Sequence, residues 1–418
     1  MAVKVWIARQ QARAQVDQMV LASGVSGASY SVTINGKTIT FTTSGTTAAP
    51  AITSGLLSGL INSTEPEFSE ITWTGISSGL QATAGTAGKP FTYSITLAGS
   101  SGGFFNTSGV VANLSPSDVN DGVNYETSGK PATGDDLIFD GRVKTPAKWN
   151  LDLLSGISLN TLEVSSVYGG TDAQIGLSEL DEDGDYPQYR PIYLGIGATV
   201  VNIGRGTGVG IRLLKLDTGN SGLEYNILKT GTPLEDNREA VTIKGINSSG
   251  RANVSLGSFG FAVLGGESGR LVSLNIGVGT GTPRVNLGFG ADMASGTINF
   301  NNGSLTLNGR VSTLNYNAGT GGTITGSGAI LALNVRGGSL THQGTGPIGS
   351  ITVGTPGQLT LSDVGPALTI SGAVTLAAQT SLTDRGFRGS YASGIVYSNC
   401  RMKDVTVDLG PSRTIKPS

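Results

Sequence analysis

The sequence predicts a mainly β fold, in which a small α+β domain is followed by a parallel β-helix, or β-solenoid, with a C-terminal cap. The main observation is a repeat within residues 293–378, where two short strand-like segments alternate with Gly/Asn/Ser turns. Successive copies of the first segment are 16, 19, 18 and 19 residues apart, as measured at Ile298, Leu314, Leu333, Ile351 and Ile370. The second segment recurs at Leu305, Ile324, Leu340, Leu359 and Val374. A period this short with two strands per unit is typical of stacked β-coils.

The composition supports the same fold class. Gly accounts for 65 of the 418 residues, charged residues for 13% and apolar residues for 38%. Low charge with abundant Gly is compatible with disorder or with many tight turns. Apolar and polar residues alternate along most of the chain, which favours strands joined by turns. The formal net charge of −2 gives no field that would attract nucleic acid or an anionic membrane.

The chain shows no targeting signal. Lys4 and Arg9 interrupt the apolar start, which is unlike a signal peptide. No stretch reaches the ~18 apolar residues of a membrane span. Cys400 is the only cysteine, so an intrachain disulfide is excluded and a small buried residue is favoured over a reactive thiol. We therefore expect a protein that is made and assembled in a cytoplasm.

Residues 1–27 and 28–98 are predicted to form an N-terminal arm and a small α+β domain. The strand-like start and polar stretch of residues 1–27 are also compatible with a strand that leads into a short helix, but we expect an arm that contacts a neighbouring subunit. Within 28–98, Asn35-Gly36 joins two alternating segments and is a strong hairpin signal. Apolar residues then recur at helical spacing within 46–62 and predict a helix. Further strands follow, which places the helix on one face of an antiparallel sheet.

Residues 28–98 resemble a small domain that is common in virion proteins of tailed bacteriophages. The matching segments are 30–37, 46–49, 59–62 and 87–91. Domains of this kind occur in tail, fibre and head-associated proteins. The resemblance implies that the chain is a structural protein of a tailed-phage virion, of the fibre, spike or decoration type.

Residues 99–190, 191–382 and 383–418 are predicted as a linking β-rich region, the β-solenoid and its cap. Within the first, segment 124–141 resembles one that precedes β-solenoids in some surface and phage proteins, although Asn-Tyr-Glu replaces the Asn-Trp-Ser of that family. From 191 onwards strands recur every 8–15 residues, which predicts wider coils with loop insertions. The last coil of a stack leaves an unpaired edge. We expect 383–418, where charge rises and the strands change register, to cover that edge.

No constellation in the sequence predicts catalysis, and we assign no catalytic, cofactor-binding or metal residues. His342 is the only histidine, so any Ser-His-Asp or Cys-His unit would depend on it. It lies in a repeat strand where Thr, Ser or Asn would serve equally well. One His and one Cys cannot form a usual zinc site. The Gly-rich segments 204–210 and 277–281 have the composition of phosphate loops, but strands follow them where a helix is required, which favours turns.

Two groups of carboxylates leave alternatives open. Residues 181–185 hold three Asp and one Glu and lie close to Glu179, a set that could hold Ca²⁺. The glycine of this segment falls at loop position 4 instead of 6, however, and a solvated loop is favoured. Asp135, Asp136 and Asp140 could pair for glycoside cleavage, although nothing in their spacing brings two of them together in space.

The sequence therefore favours a structural virion protein without enzymatic activity. We expect its N-terminal region to dock on the capsid or tail and its solenoid to project as a fibre, spike or decoration. By resemblance, its partners are further copies of itself in a homotrimer and the major capsid or tail proteins. Its location is the virion, assembled in the host cytoplasm, and no cofactor, nucleic acid or membrane is expected. The alternatives are a tailspike-like polysaccharide depolymerase, acting as glycoside hydrolase or lyase, and a cell-surface adhesin.

Overall fold

The protein is mainly β, with half of the chain in strands and 7% in helices. The computed structural model describes residues 2–45, 48–99, 104–127, 129–178, 191–234, 239–257, 261–263, 271–278, 284–287, 293–317, 321–386, 388–391 and 393–410. The elements of the N-terminal part are β1 Val3–Val5, β2 Val16–Ser23, β3 Ser29–Ile34, β4 Lys37–Thr42, α1 Ala49–Ile61, α2 Pro66–Ser69, β5 Ile71–Ile76, β6 Gly79–Ala84, β7 Ser94–Ala98 and β8 Phe104–Val111.

All later strands belong to one large parallel sheet system. The first are β9 Asp136–Phe139, β10 Ser158–Ser165, β11 Gln174–Ile175, β12 Leu194–Gly195, β13 Gly197–Arg205, β14 Leu213–Lys229, β15 Val241–Gly257, β16 Phe261–Val263, β17 Leu271–Val278, β18 Arg284–Leu287 and β19 Met293–Phe300. The rest are β20 Gly303–Leu307, β21 Val311–Tyr316, β22 Gly322–Thr325, β23 Ile330–Val335, β24 Ser339–His342, β25 Ile348–Val353, β26 Gln358–Leu361, β27 Leu368–Ile370, β28 Val374–Leu376, β29 Ser381–Thr383, β30 Gly389–Tyr391, β31 Ile395–Tyr397 and β32 Thr406–Asp408.

Strands one coil apart pair in parallel and form two stacks. The first stack runs in the order β1, β9, β10, β13, β14, β15, β17, β19, β21, β23, β25, β28 and β31. In the second, β11 and β12 pair with the start of β14, followed by β15, β16, β18, β20, β22, β24, β26, β29 and β32. Such pairing arises when a chain turns repeatedly about one axis, and it is compatible with a β-solenoid.

Buried aliphatic side chains of successive rungs lie above one another. In the first stack Ile298, Leu314, Leu333 and Ile351 occupy one register line, and all four are buried. Burial of such a side chain contributes about 1.5–3 kcal/mol. A single core of this kind runs from Trp6 to Leu382 among the described residues.

The prediction that 368–370 is the next copy of the first repeat segment is wrong. Ile351 pairs with Val374, which sequence analysis placed in the second stack, whereas Ile370 pairs with Ile348. The reason is that a second register line of the earlier rungs, through Val311, Ile330 and Ile348, continues into Ile370, so that the next rung is split into β27 and β28. This coil spans 23 residues from Leu359 to Leu382, against 19 from Leu340 to Leu359, and the second stack resumes at Leu382.

The chain starts inside the first stack, in place of the arm predicted for residues 1–27. Strand β1 pairs in parallel with β9, so that residues 6–135 are inserted between the first two rungs. Trp6 is 1% exposed, packs against Tyr125 and Phe139, and donates from Nε1 to the carbonyl oxygen of Thr145 at 3.1 Å. The insertion thereby returns to cover the N-terminal end of the core, to which Val119 also belongs.

The insertion contains two antiparallel sheets and helix α1. The strand orders are β4-β3-β7 and β5-β6-β2-β8. The predicted hairpin is confirmed, because Ile34 pairs with Lys37 and both turn residues, Asn35 and Gly36, have positive φ. The predicted helix is present as α1, and it packs against β4 and β5 over a core that is separate from the stack. Strands β2 and β8 lie outside 28–98, so this unit is larger than predicted.

The C-terminal strands continue the stacks. Strands β30, β31 and β32 pair in parallel with β27, β28 and β29. The prediction that strands within 383–418 take a different register is therefore wrong, because the apolar spacing of the last rung still matches that of its neighbour. Residues 411–418 lie outside the described residues. No helix in the described ranges has the length and apolar character needed to cross a membrane.

Candidate functional site

A row of asparagines runs along the outer face of the first stack. From Asn226 onwards, the side-chain Nδ2 of each asparagine donates to Oδ1 of the asparagine in the preceding rung, at 2.7–3.1 Å. The members of this asparagine row are Asn202, Asn226, Asn253, Asn275, Asn299, Asn315 and Asn334.

The row faces outward because side chains alternate along a strand. Asn315 lies between Leu314 and Tyr316, which are both fully buried on the inner side. It is still only 6% exposed, because the amides above and below cover it. Successive members are 24, 27, 22, 24, 16 and 19 residues apart. The row thus keeps one register while loop length varies.

A groove of about 540 Å³ opens beside the row. Its lining residues are Leu223, Glu224, Ser249, Arg251, Asn253 and Asn275. Glu224 and Arg251 are directly opposite one another on β14 and β15. They provide one carboxylate and one guanidinium among otherwise neutral groups.

His342 points into the core, contrary to the prediction that a small polar residue would serve equally well there. It pairs with Ile324 in the preceding rung and with Leu361 in the next, and it is 2% exposed. Burial, followed by the nearby guanidinium of Arg388, lowers the pKa of His342 to about 4. Its Nδ1 has no hydrogen-bond partner among the described residues. The imidazole is therefore neutral near pH 7 and lies apart from the groove.

Arg388 and Asp384 form a buried polar cluster near His342. The guanidinium of Arg388 donates to the carbonyl oxygens of Gly344, Ser362 and Pro366, which belong to successive turns. Asp384 accepts from the backbone N–H groups of Arg388 and residue 389 and from the hydroxyl of Tyr391. The Arg388 bonds tie turns of neighbouring coils together, and the Asp384 bonds hold the residues that follow it in the chain, so the cluster has a structural role.

The three carboxylates considered for glycoside cleavage serve local structure. Asp135 accepts from the backbone N–H of Ala2 at 2.7 Å and of Ala132 at 3.1 Å, and the first of these bonds is the main reason that its pKa is lowered. Asp136 accepts from Asn160. Asp140 accepts from Arg142, whose guanidinium also forms a bidentate pair with Glu126. The structure does not combine them into a pair around one groove.

The Gly-rich segments, Cys400 and the acidic cluster are the remaining features that the sequence singled out. Segment 204–210 forms a turn between β13 and β14, as predicted. Cys400 is partly buried and its thiol lies 3.5 Å from the carbonyl oxygen of Leu376. Residues 179–190, with the acidic cluster at 181–185, lie outside the described residues, as do residues 279–281 of the second Gly-rich segment. Among the residues that the structure does describe, no group of three metal-binding side chains occurs.

Sequence analysis missed the asparagine row, although its signal is visible. An Asn lies between two apolar residues in each rung, as in Val201-Asn202-Ile203 and Leu333-Asn334-Val335. Within 293–378 these residues were used only to align the repeat. The irregular coil lengths before residue 299 hide the common register of the earlier members.

Comparisons with protein-family models, with curated proteins and with solved structures find no match for this chain. The likeness of residues 28–98 to a phage virion domain, and of 124–141 to a segment that precedes β-solenoids, therefore stays a prediction. Function has to be inferred from the geometry of this chain.

Proposed function

We propose that the chain is a parallel β-solenoid that serves as a rigid structural component of a tailed-phage virion. The observation that carries this proposal is the continuous first stack, from β1 at the N-terminus to β31, with one core and one outer asparagine row. Each rung is bonded to two neighbours along its backbone, so bending or shearing the rod breaks many hydrogen bonds at once.

The presence of two separate hydrophobic cores supports two separate roles within the chain. The inserted unit has its own core, separate from that of the stack. In our proposal this α+β unit docks on the major capsid or tail protein, and the stack projects as a fibre, spike or decoration. In the same proposal residues 383–418 act as the C-terminal cap of the stack. Assembly takes place in the host cytoplasm.

The proposed assembly is a homotrimer. A three-fold arrangement turns the same face of each stack towards the common axis, where exposed apolar side chains and strand edges are covered. The near-neutral net charge of −2 favours partners of the protein class over nucleic acid or an anionic membrane.

Mass spectrometry and electron cryomicroscopy of purified particles test the proposal. We expect the chain in stoichiometric amounts in intact virions, with the inserted unit at the particle surface and the stack pointing away from it. Absence of the chain from purified particles would contradict the proposal.

The alternative of a polysaccharide depolymerase requires two carboxylates that converge on one groove. Among the six residues that line the groove beside the asparagine row, Glu224 is the only carboxylate. A reducing-sugar assay on host capsule distinguishes the two functions: a structural protein releases no reducing ends, whereas a depolymerase does. The adhesin alternative predicts the chain on the surface of cells that carry no phage.

A further inference from the structure

The groove beside the asparagine row has unused hydrogen-bonding capacity. A side-chain amide has two N–H donors and two acceptor lone pairs on its oxygen. Asn275 uses one donor on Asn253, at 2.7 Å, and one lone pair for Asn299, at 2.9 Å. Asn253 is engaged in the same way between Asn226 and Asn275. Each of the two amides that line the groove therefore has one donor and one lone pair left for a ligand.

The charged groups of the groove are also accessible. Glu224 and Arg251 are exposed, and the guanidinium of Arg251 makes no ion pair or hydrogen bond within the described residues. Ser249 adds a hydroxyl, and Leu223, which is 43% exposed, adds an apolar wall. The rungs that carry these groups repeat at about 4.8 Å, so the groove offers polar partners at regular steps along the stack axis.

We propose that this groove binds an acidic oligosaccharide. Sugar hydroxyls both donate and accept, as the two amides and Ser249 require, and a sugar carboxylate matches the planar fork of Arg251. The C–H face of a sugar ring packs on Leu223. A few polar groups of this kind are what fix the orientation of a ligand in a site.

The same residues disfavour other anionic ligands. None of the six residues that line the groove is aromatic, so the groove offers no ring on which a base could stack, which argues against single-stranded nucleic acid. Binding in this groove is independent of whether the chain is built into a virion, so failure of one proposal leaves the other intact.

Titration calorimetry and saturation-transfer NMR on the full chain test the proposal, with tetragalacturonate as the acidic probe and maltotetraose as the neutral one. We expect tetragalacturonate to bind and maltotetraose to bind at least about tenfold more weakly. Arg251→Ala should weaken tetragalacturonate binding about tenfold or more, because a charged hydrogen-bonded pair is lost. Arg251→Lys should retain part of the affinity.

The matched control is Arg336→Ala, which removes another exposed guanidinium further along the stack. It should leave saccharide binding unchanged. The proposal is overturned if neither saccharide binds, if both bind equally, or if Arg336→Ala has the same effect as Arg251→Ala. It is also overturned if an acidic tetrapeptide binds as tightly as tetragalacturonate, because the groove would then recognise charge alone.

Discussion

His342 occupies a core position that aliphatic residues fill in the adjacent rungs. Its folded-state pKa is about 4, whereas an unfolded histidine has a pKa of about 6.5. Protons therefore bind the unfolded chain first as the pH falls. The stability that depends on neutral His342 is fully present above about pH 6.5 and is lost as the pH falls towards about 4.

Replacement of His342 by Leu should remove this pH dependence, because Leu carries no titratable group. The position should accept Leu, since Leu361 fills the same register position in the next rung. The free energy of unfolding of the unmodified protein should fall by about 3 kcal/mol more than that of His342→Leu between pH 7 and pH 4. Urea titrations at several pH values measure this difference. As the only histidine, His342 has no other imidazole to obscure the result.

Thr341→Ala is the control, because Thr341 lies on the outer face of the same strand. It should keep the pH dependence of the unmodified protein. Equal pH profiles for His342→Leu and the unmodified protein would show that the imidazole is not buried in its neutral form.

Asn315 tests the energetic value of the asparagine row. Asn315→Ala removes its bonds to Asn299 and Asn334 and should lower the free energy of unfolding by about 1–3 kcal/mol. Thr313→Ala, on the same outer face of β21, should change it by less than about 0.5 kcal/mol. Chemical denaturation of both variants checks this, and equal effects would mean that the row contributes nothing beyond ordinary surface contacts.

At the scale of elements, tight turns decide whether one rung can lie on another. Gly326, in the turn after β22, has φ +95°, and a Cβ there would lie 2.2 Å from the carbonyl oxygen of Leu307 in the preceding rung. Both the left-handed backbone and the close approach require glycine.

Gly326→Ala should therefore destabilise the stack by more than about 2 kcal/mol. The matched control is Gly156→Ala, where an added Cβ meets no atom within 4 Å. Thermal unfolding of the two variants measures the difference. A Gly326→Ala protein that melts like the control would place this turn away from the rung below it.

The regular rungs could be predicted from the sequence because each one contains its own strand signal. Apolar alternation and a period near 18 residues are local properties, so Ile298, Leu314 and Leu333 fell into the correct register. The split of one rung into strands 368–370 and 374–376 was missed because segment 368–370 has the same apolar pattern as a whole rung. Pattern alone does not say which earlier strand it joins.

The first rung was beyond the reach of a periodicity argument. Strand β1 has three residues, and its partner β9 begins at Asp136, beyond the whole inserted unit. No repeat spacing connects the two strands. The groove was missed for a similar reason, because Glu224, Arg251 and Asn275 become neighbours only when coils of unequal length are stacked.

At the scale of the molecule, the proposed trimer makes a prediction about mass in solution. Light scattering after size exclusion should give three times the mass of one chain, independent of concentration over the working range. A monomer at all concentrations would contradict the trimer, although it would leave the parallel stack itself untouched.

The central claim is that parallel rungs are stacked into one rod, and a high-resolution electron cryomicroscopy map of the purified protein tests it most directly. The account predicts strands spaced about 4.8 Å along a single axis, from Val3–Val5 to Ile395–Tyr397, with the seven asparagines on one outer line. Strands that close around a central pocket, or asparagines scattered over different faces, would contradict it.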